Sequence, residues 1–146
     1  MKYNYLTKSY FAYIRGVDFA NAVEALEKSD QHFFAPPVVN AAFSCELLLK
    51  AIIIAETQRE ECIKKHRLNE LFTMMLPNTQ DTIKTKANIY DWDSFMREAN
   101  NAFVEWRYMH EEYKDLLISI FDLQRFIYAL KLYYEETYHI PNDDRL

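Results

Sequence analysis

Glycine is almost absent from this chain. It occurs once in 146 residues, at Gly16, so there is neither a phosphate-cradling P-loop nor a glycine-rich dinucleotide loop, and no Gly-x-Ser-x-Gly nucleophile elbow. Proline is scarce as well, with four residues, and a chain so poor in turn formers is expected to be all-helical rather than a set of hairpins. The two cysteines, Cys45 and Cys62, cannot make a disulfide framework. Cys45 lies in an apolar run where a reduced thiol behaves as a small hydrophobe, which points to a reducing, cytoplasmic compartment. No Cys-x-x-Cys pair is present, and after His110 and Glu111 the second histidine of a zinc-protease helix is missing, so no metal and no other cofactor is expected.

Positive charge is also in deficit. Seventeen Lys and Arg face 22 Asp and Glu, for a net charge of -5, which excludes a protein that coats nucleic acid through its overall field. Any RNA contact has to be local. The cations available for one are Lys64, Lys65, His66 and Arg67 in one run, Lys84 and Lys86 in another, and Lys50 and Arg107; the first two groups also read as ordinary solvated charges on helix faces. Long apolar runs are missing too. Met1 to Tyr5 carries no signal-type apolar block, and Leu47 to Ala55 is broken by Lys50 and falls short of the ~20 residues a membrane span needs, so a soluble protein with no membrane partner is expected.

What the chain does have is helical periodicity. Tyr10, Ile14, Val17, Val23 and Leu26 outline a first amphipathic helix from about Thr7 to Lys28, with Gly16 inside it. An interior glycine costs about 1 kcal/mol against alanine, so it marks a close helix approach rather than a break. Pro36 and Pro37 suit the first turn of a second helix running to about Arg59. That helix is apolar on nearly every side, from Val38 to Ile53, and is expected at the centre of a bundle. Glu46 and Lys50 interrupt it at the four-residue spacing of an ion pair, which if exposed contributes only ~0.2–0.5 kcal/mol. Leu68, Leu71, Phe72 and Met75 describe a short third helix stopping before Pro77, and Thr79 to Asn88 reads as a weak, polar helix or a loop. Trp92, Phe95, Met96, Ala99, Phe103, Trp106 and His110 share one stripe, with Asp91 or Asp93 as N-cap. A last helix carries Leu116 to Tyr134 and ends near Tyr138, leaving 139–146 as a fraying tail. One domain is expected over 1–146, with its core at about 6–138.

The segment Trp106-Arg107-Tyr108-Met109-His110-Glu111 sets a cation and a titratable base on neighbouring turns. With Cys45-Glu46-Leu47-Leu48-Leu49-Lys50-Ala51 and Lys65-His66-Arg67-Leu68-Asn69-Glu70-Leu71-Phe72, it resembles the HEPN family of small helical proteins, over roughly Leu6 to Tyr138. The resemblance implies an all-α, up-and-down antiparallel bundle of about five helices, and a homodimer in which two Arg/His pairs share one cleft. Family ribonucleases separate the two residues by about four to six positions. Here only Tyr108 and Met109 intervene, closer to the Arg-Tyr-x-Tyr/His-Glu form of relatives whose nuclease activity is doubtful.

Metal-free RNA cleavage needs a base for the ribose 2′-hydroxyl and a cation for the charge that develops on phosphorus. The resemblance assigns these roles to His110, with an ordinary imidazole pKa of ~6.5, and to Arg107, which can clamp two phosphate oxygens. It brings Glu46, Lys50, His66, Tyr108 and Glu111 to the same site as binding residues. Each has a structural alternative: His110 as a packed histidine, Arg107 paired with Glu46 or Glu111, Glu46 and Lys50 as a partly buried pair setting register, and His66 as a hydrogen-bonding residue at a helix start. Tyr133, Tyr134 and Tyr138 are expected to pack in the core or a dimer rather than stack bases. Two functional classes follow. One is a HEPN protein linked to RNA or a nucleotide, at its strongest a toxin or defence endoribonuclease. The other is a catalytically silent interaction or scaffold bundle, or the partner of a separate nucleotidyltransferase antitoxin.

Overall fold

The computed structural model describes residues 4–33, 35–59, 61–108 and 119–138, with side chains for all of these except 101–108. Its regular elements are all helices: α1 Tyr5–Lys28, α2 Ala35–Thr57, α3 Leu68–Thr73, α4 Pro77–Ala87, α5 Trp92–Tyr108 and α6 Ile120–Thr137. Among the described residues there is no strand. The expected all-α bundle is therefore what the chain forms.

Local chemistry accounts for most helix boundaries. Asn4 Oδ1 accepts from the Thr7 N–H at 2.9 Å at the head of α1, Asp91 Oδ1 accepts from Ser94 N–H at 3.1 Å at α5, and Ser119 Oγ accepts from Asp122 N–H at 3.3 Å at α6. Each satisfies a donor that the first turn leaves without a partner. Pro36 and Pro37 occupy the first turn of α2, where their missing N–H groups cost nothing. That helix stops two residues before the expected Arg59, because Gln58 turns to a left-handed φ of 53°.

The sixth helix is α4, the segment whose sequence allowed either helix or loop. Pro77 sits in its first turn, and Asn88 closes it in the left-handed region at φ 50°, a conformation Asn tolerates better than most residues. Its buried residues, Thr79, Ile83 and Ala87, recur every four positions and pack towards α6. Glu56, from the end of α2, accepts from the Leu76 N–H at 3.0 Å and from the Thr79 hydroxyl. A polar sequence thus becomes a helix through one narrow stripe and a carboxylate supplied from elsewhere.

Helix α2 is the centre, in contact with α1, α3, α5 and α6. Leu48, Leu49, Ile52 and Ile53 are fully buried. Length and mean hydropathy, 23 residues and 1.9, would let this helix cross a bilayer, but 56 % of its most apolar window is buried inside the bundle. Just over half of that surface is therefore core. Helices α1 and α2 run antiparallel: Phe19 stacks on Phe43 at 5.3 Å, Ser44 Oγ donates to Gly16 O at 2.7 Å, and Ser9 Oγ donates to Ala51 O at 2.7 Å. Gly16 is a point of close approach, since a Cβ there would meet Leu48 Cγ and Cδ2 at 2.8 Å. The far side is sealed by Phe72, Trp92, Phe95 and Phe126, whose ring centroids stand 5.0–6.2 Å apart.

Candidate functional site

A carboxylate in the middle of an apolar central helix needs partners, because burying an unpaired charge is expensive. Glu46 is such a residue, 9 % exposed, and it has two partners. Lys50, one turn along α2, places Nζ 3.3 Å from Glu46 Oε1, and its own side chain is only 16 % exposed. This is a sheltered pair rather than the exposed one whose contribution would be slight. His66 reaches the same oxygen, with Nδ1 2.6 Å away.

His66 gets there through its backbone. Residues 61–67 have no regular structure and end at Arg67, which is extended (φ -74°, ψ 130°) and caps α3 without a side-chain bond. His66 therefore lies just outside the helix, free to turn back onto α2. A carboxylate can only accept, so Nδ1 carries the proton and donates, and in the neutral ring Nε2 is left as the basic nitrogen. The His66 side chain is 69 % exposed, and among the described residues Nε2 has no hydrogen-bond partner. A carboxylate holding one ring nitrogen while the other meets solvent is how proteins orient a histidine for proton transfer; the protonated ring can instead donate to an anion. Glu46 and His66 are also potential metal donors, but among the described residues no third joins them.

Three expected site residues, Glu46, Lys50 and His66, are thus brought together from positions 20 apart in the chain. Arg107 and Tyr108 fall in the part of α5 described by its backbone alone, and His110 and Glu111 lie outside the described residues. The start of α3 abuts α5, where the Asn69 N–H donates to Asn100 Oδ1 at 3.5 Å. Arg107 stands seven positions further along the same helix.

Other candidates are taken up by packing. Lys86 pairs with Glu136 at 2.9 Å, which ties α4 to α6. Tyr133 and Tyr134 near the end of α6 and Tyr138 just after it are held in the packing, whereas Tyr128 is exposed: Tyr133 OH meets the Thr79 hydroxyl at 3.1 Å, Tyr134 OH meets Ser9 Oγ at 2.9 Å, and the Tyr138 ring packs on Tyr134 at 5.1 Å. Burial pushes the phenols of Tyr134 and Tyr138 above their ordinary range. Glu56 escaped the sequence reading altogether, because its partners Leu76 and Thr79 lie 20 and 23 positions away and no local spacing links them. Comparisons of the chain with family models, curated proteins and solved structures give no match.

Proposed function

We propose that this protein is a HEPN-type bundle that binds the phosphate groups of RNA or of a nucleotide at the Glu46–Lys50–His66 cluster, with Arg107 as the principal cation and a second copy of the chain completing the site. The observation that carries the reading is the bond from His66 to Glu46: an exposed imidazole locked by a sheltered carboxylate, at the positions where the family resemblance expects the site. In its strongest form the protein is a metal-independent endoribonuclease with Arg107 and His110 in the catalytic roles. In its weaker form it binds without cleaving, as the short Arg-x-x-His spacing suggests, or partners an antitoxin chain.

One observation favours the scaffold reading. Lys50 is already neutralised by Glu46, so a phosphate would have to compete for it, and the cluster would then serve to fasten the segment before α3 onto α2.

The deciding experiment is fluorescence anisotropy with labelled single-stranded RNA, with unlabelled nucleotides as competitors, over a salt series. An acidic protein that grips phosphate through a few local cations should bind weakly and lose affinity steeply as salt rises. Arg107→Ala and His66→Ala should each weaken binding roughly tenfold or more, and any cleavage should survive a chelator and vanish in His110→Ala. Absence of binding by the wild type, or equal binding by wild type and both binding variants, overturns the phosphate reading and leaves the scaffold.

A further inference from the structure

A cleft of about 720 Å³ opens between α3, α4 and α5, and its lining joins aromatic rings to cations. Its floor is aromatic: Phe72 is 3 % exposed, and Trp92, half-buried, packs on it at 5.0 Å while still lining the cleft. Two cations stand at its walls. Lys84 Nζ lies 5.8 Å from the centroids of both Phe72 and Trp92, and Arg97 lines the cleft from the exposed side of α5. Neither has an ion-pair partner among the described residues. Among the described residues Asp93 is the single carboxylate in the lining, so these walls carry one net positive charge in a chain of net charge -5.

The amides add directionality. Asn69 Oδ1 accepts from the Glu70 N–H at 2.8 Å, and Asn100 Oδ1 accepts from the Asn69 N–H at 3.5 Å. Each oxygen thus accepts one backbone N–H, which orients the amide, and each side chain also carries an NH₂ group able to donate. The cleft therefore combines an indole, two cations without an ion-pair partner among the described residues, one of them Lys84 beside the indole, and two amide donors. A ligand that satisfies all of this has a flat aromatic part to lie on Trp92 and an anionic group for Lys84 and Arg97.

We infer that this cleft binds a nucleoside phosphate, with the base on Trp92 and the phosphate between Lys84 and Arg97. The same chemistry is presented by a free mononucleotide and by one residue of an RNA strand. Asn69 lies three positions after His66, so a strand seated here would lead towards the Glu46–His66 cluster. The inference extends the ligand class proposed above but rests on different residues, and it stands or falls separately.

The chain has two tryptophans, and only Trp92 lines the cleft. In a Trp106→Phe background Trp92 becomes the sole indole, and its emission is followed while adenosine monophosphate, adenosine, inorganic phosphate or a short oligoribonucleotide is added, with calorimetry on the wild type as a check independent of that substitution. Saturable quenching by the mononucleotide or the oligonucleotide is expected, stronger than with adenosine or phosphate alone. Lys84→Ala and Arg97→Ala, both at exposed positions, should each weaken it roughly tenfold, with Lys84→Arg restoring it. Response to the mononucleotide identifies a free ligand, and response to the oligonucleotide alone identifies a strand. If neither binds, or if the Lys84→Ala/Arg97→Ala double variant binds as well as the wild type, the inference is wrong. Binding that is lost in Arg107→Ala yet untouched by that double variant would overturn the cleft alone and leave the Glu46–His66 reading in place.

Discussion

Adding one methyl group at Gly16 sets two opposing effects against each other. In an exposed helix interior, Gly→Ala stabilises by about 0.8–1 kcal/mol because alanine loses less backbone freedom on folding. At this position the new Cβ would sit 2.8 Å from Leu48 Cγ and Cδ2 and 3.3 Å from Leu48 N. Leu48 is fully buried, its Cγ is a branch point rather than a loose end, and its N belongs to the backbone of the central helix. Forcing extra volume into such a contact costs about 1–3 kcal/mol. The clash wins. Gly16→Ala should destabilise by up to about 2 kcal/mol net, and at this chain length lower the thermal midpoint by up to about 6 °C in far-ultraviolet circular dichroism. A double-mutant cycle isolates the cause. Leu48→Ala alone should cost about 2–5 kcal/mol, and in that background Gly16→Ala should become neutral or stabilising, a coupling that independent sites do not show. A higher midpoint for Gly16→Ala, or simple additivity with Leu48→Ala, would refute the close approach of α1 and α2 at this point.

Two further outcomes follow from buried polar groups. Glu46→Ala should cost about 1–3 kcal/mol, because it strands the sheltered ammonium of Lys50 and releases His66, and amide hydrogen exchange in residues 61–67 should accelerate; an unchanged midpoint would mean the cluster is solvated and the segment independent of α2. Stability should also fall in alkali. Burial pushes the Tyr13 phenol above its ordinary value, with help from its hydrogen bond to Glu135, and burial does the same to the phenols of Tyr134 and Tyr138 and to the Cys45 thiol. Folded-state values raised above unfolded ones leave stability intact below the unfolded values, near 9–10. Above them the unfolded chain sheds protons that the folded chain retains, so stability declines by on the order of 1 kcal/mol per pH unit for each fully affected group. A denaturation midpoint flat from neutrality to about pH 11 would contradict this burial.

The helices, most of their ends and the central place of α2 could be read from the residues alone, because periodicity, caps and breakers act within a few positions of one another. Asp91, Pro36 and Pro37 each announce a helix start through their own chemistry, and Gly16 announces a tight contact because little else justifies a glycine there. The joining of Glu46 and Lys50 was legible for the same reason, being one helical turn apart. What the residues alone left undecided were features whose partners are distant in the chain. Residues 77–87 become a helix because Glu56 and the α6 face meet them. The Glu46–Lys50 pair is sheltered because other helices close around α2. Lys86 is consumed by Glu136 while Lys84 is left over an indole; two positions apart on α4 they face different sides by helix geometry alone, but which neighbour each side meets is decided by how the helices pack. Secondary structure depends on interactions a turn apart, which a sequence displays; the charge state, exposure and company of a side chain depend on which helices pack around it, and only the tertiary structure determines that.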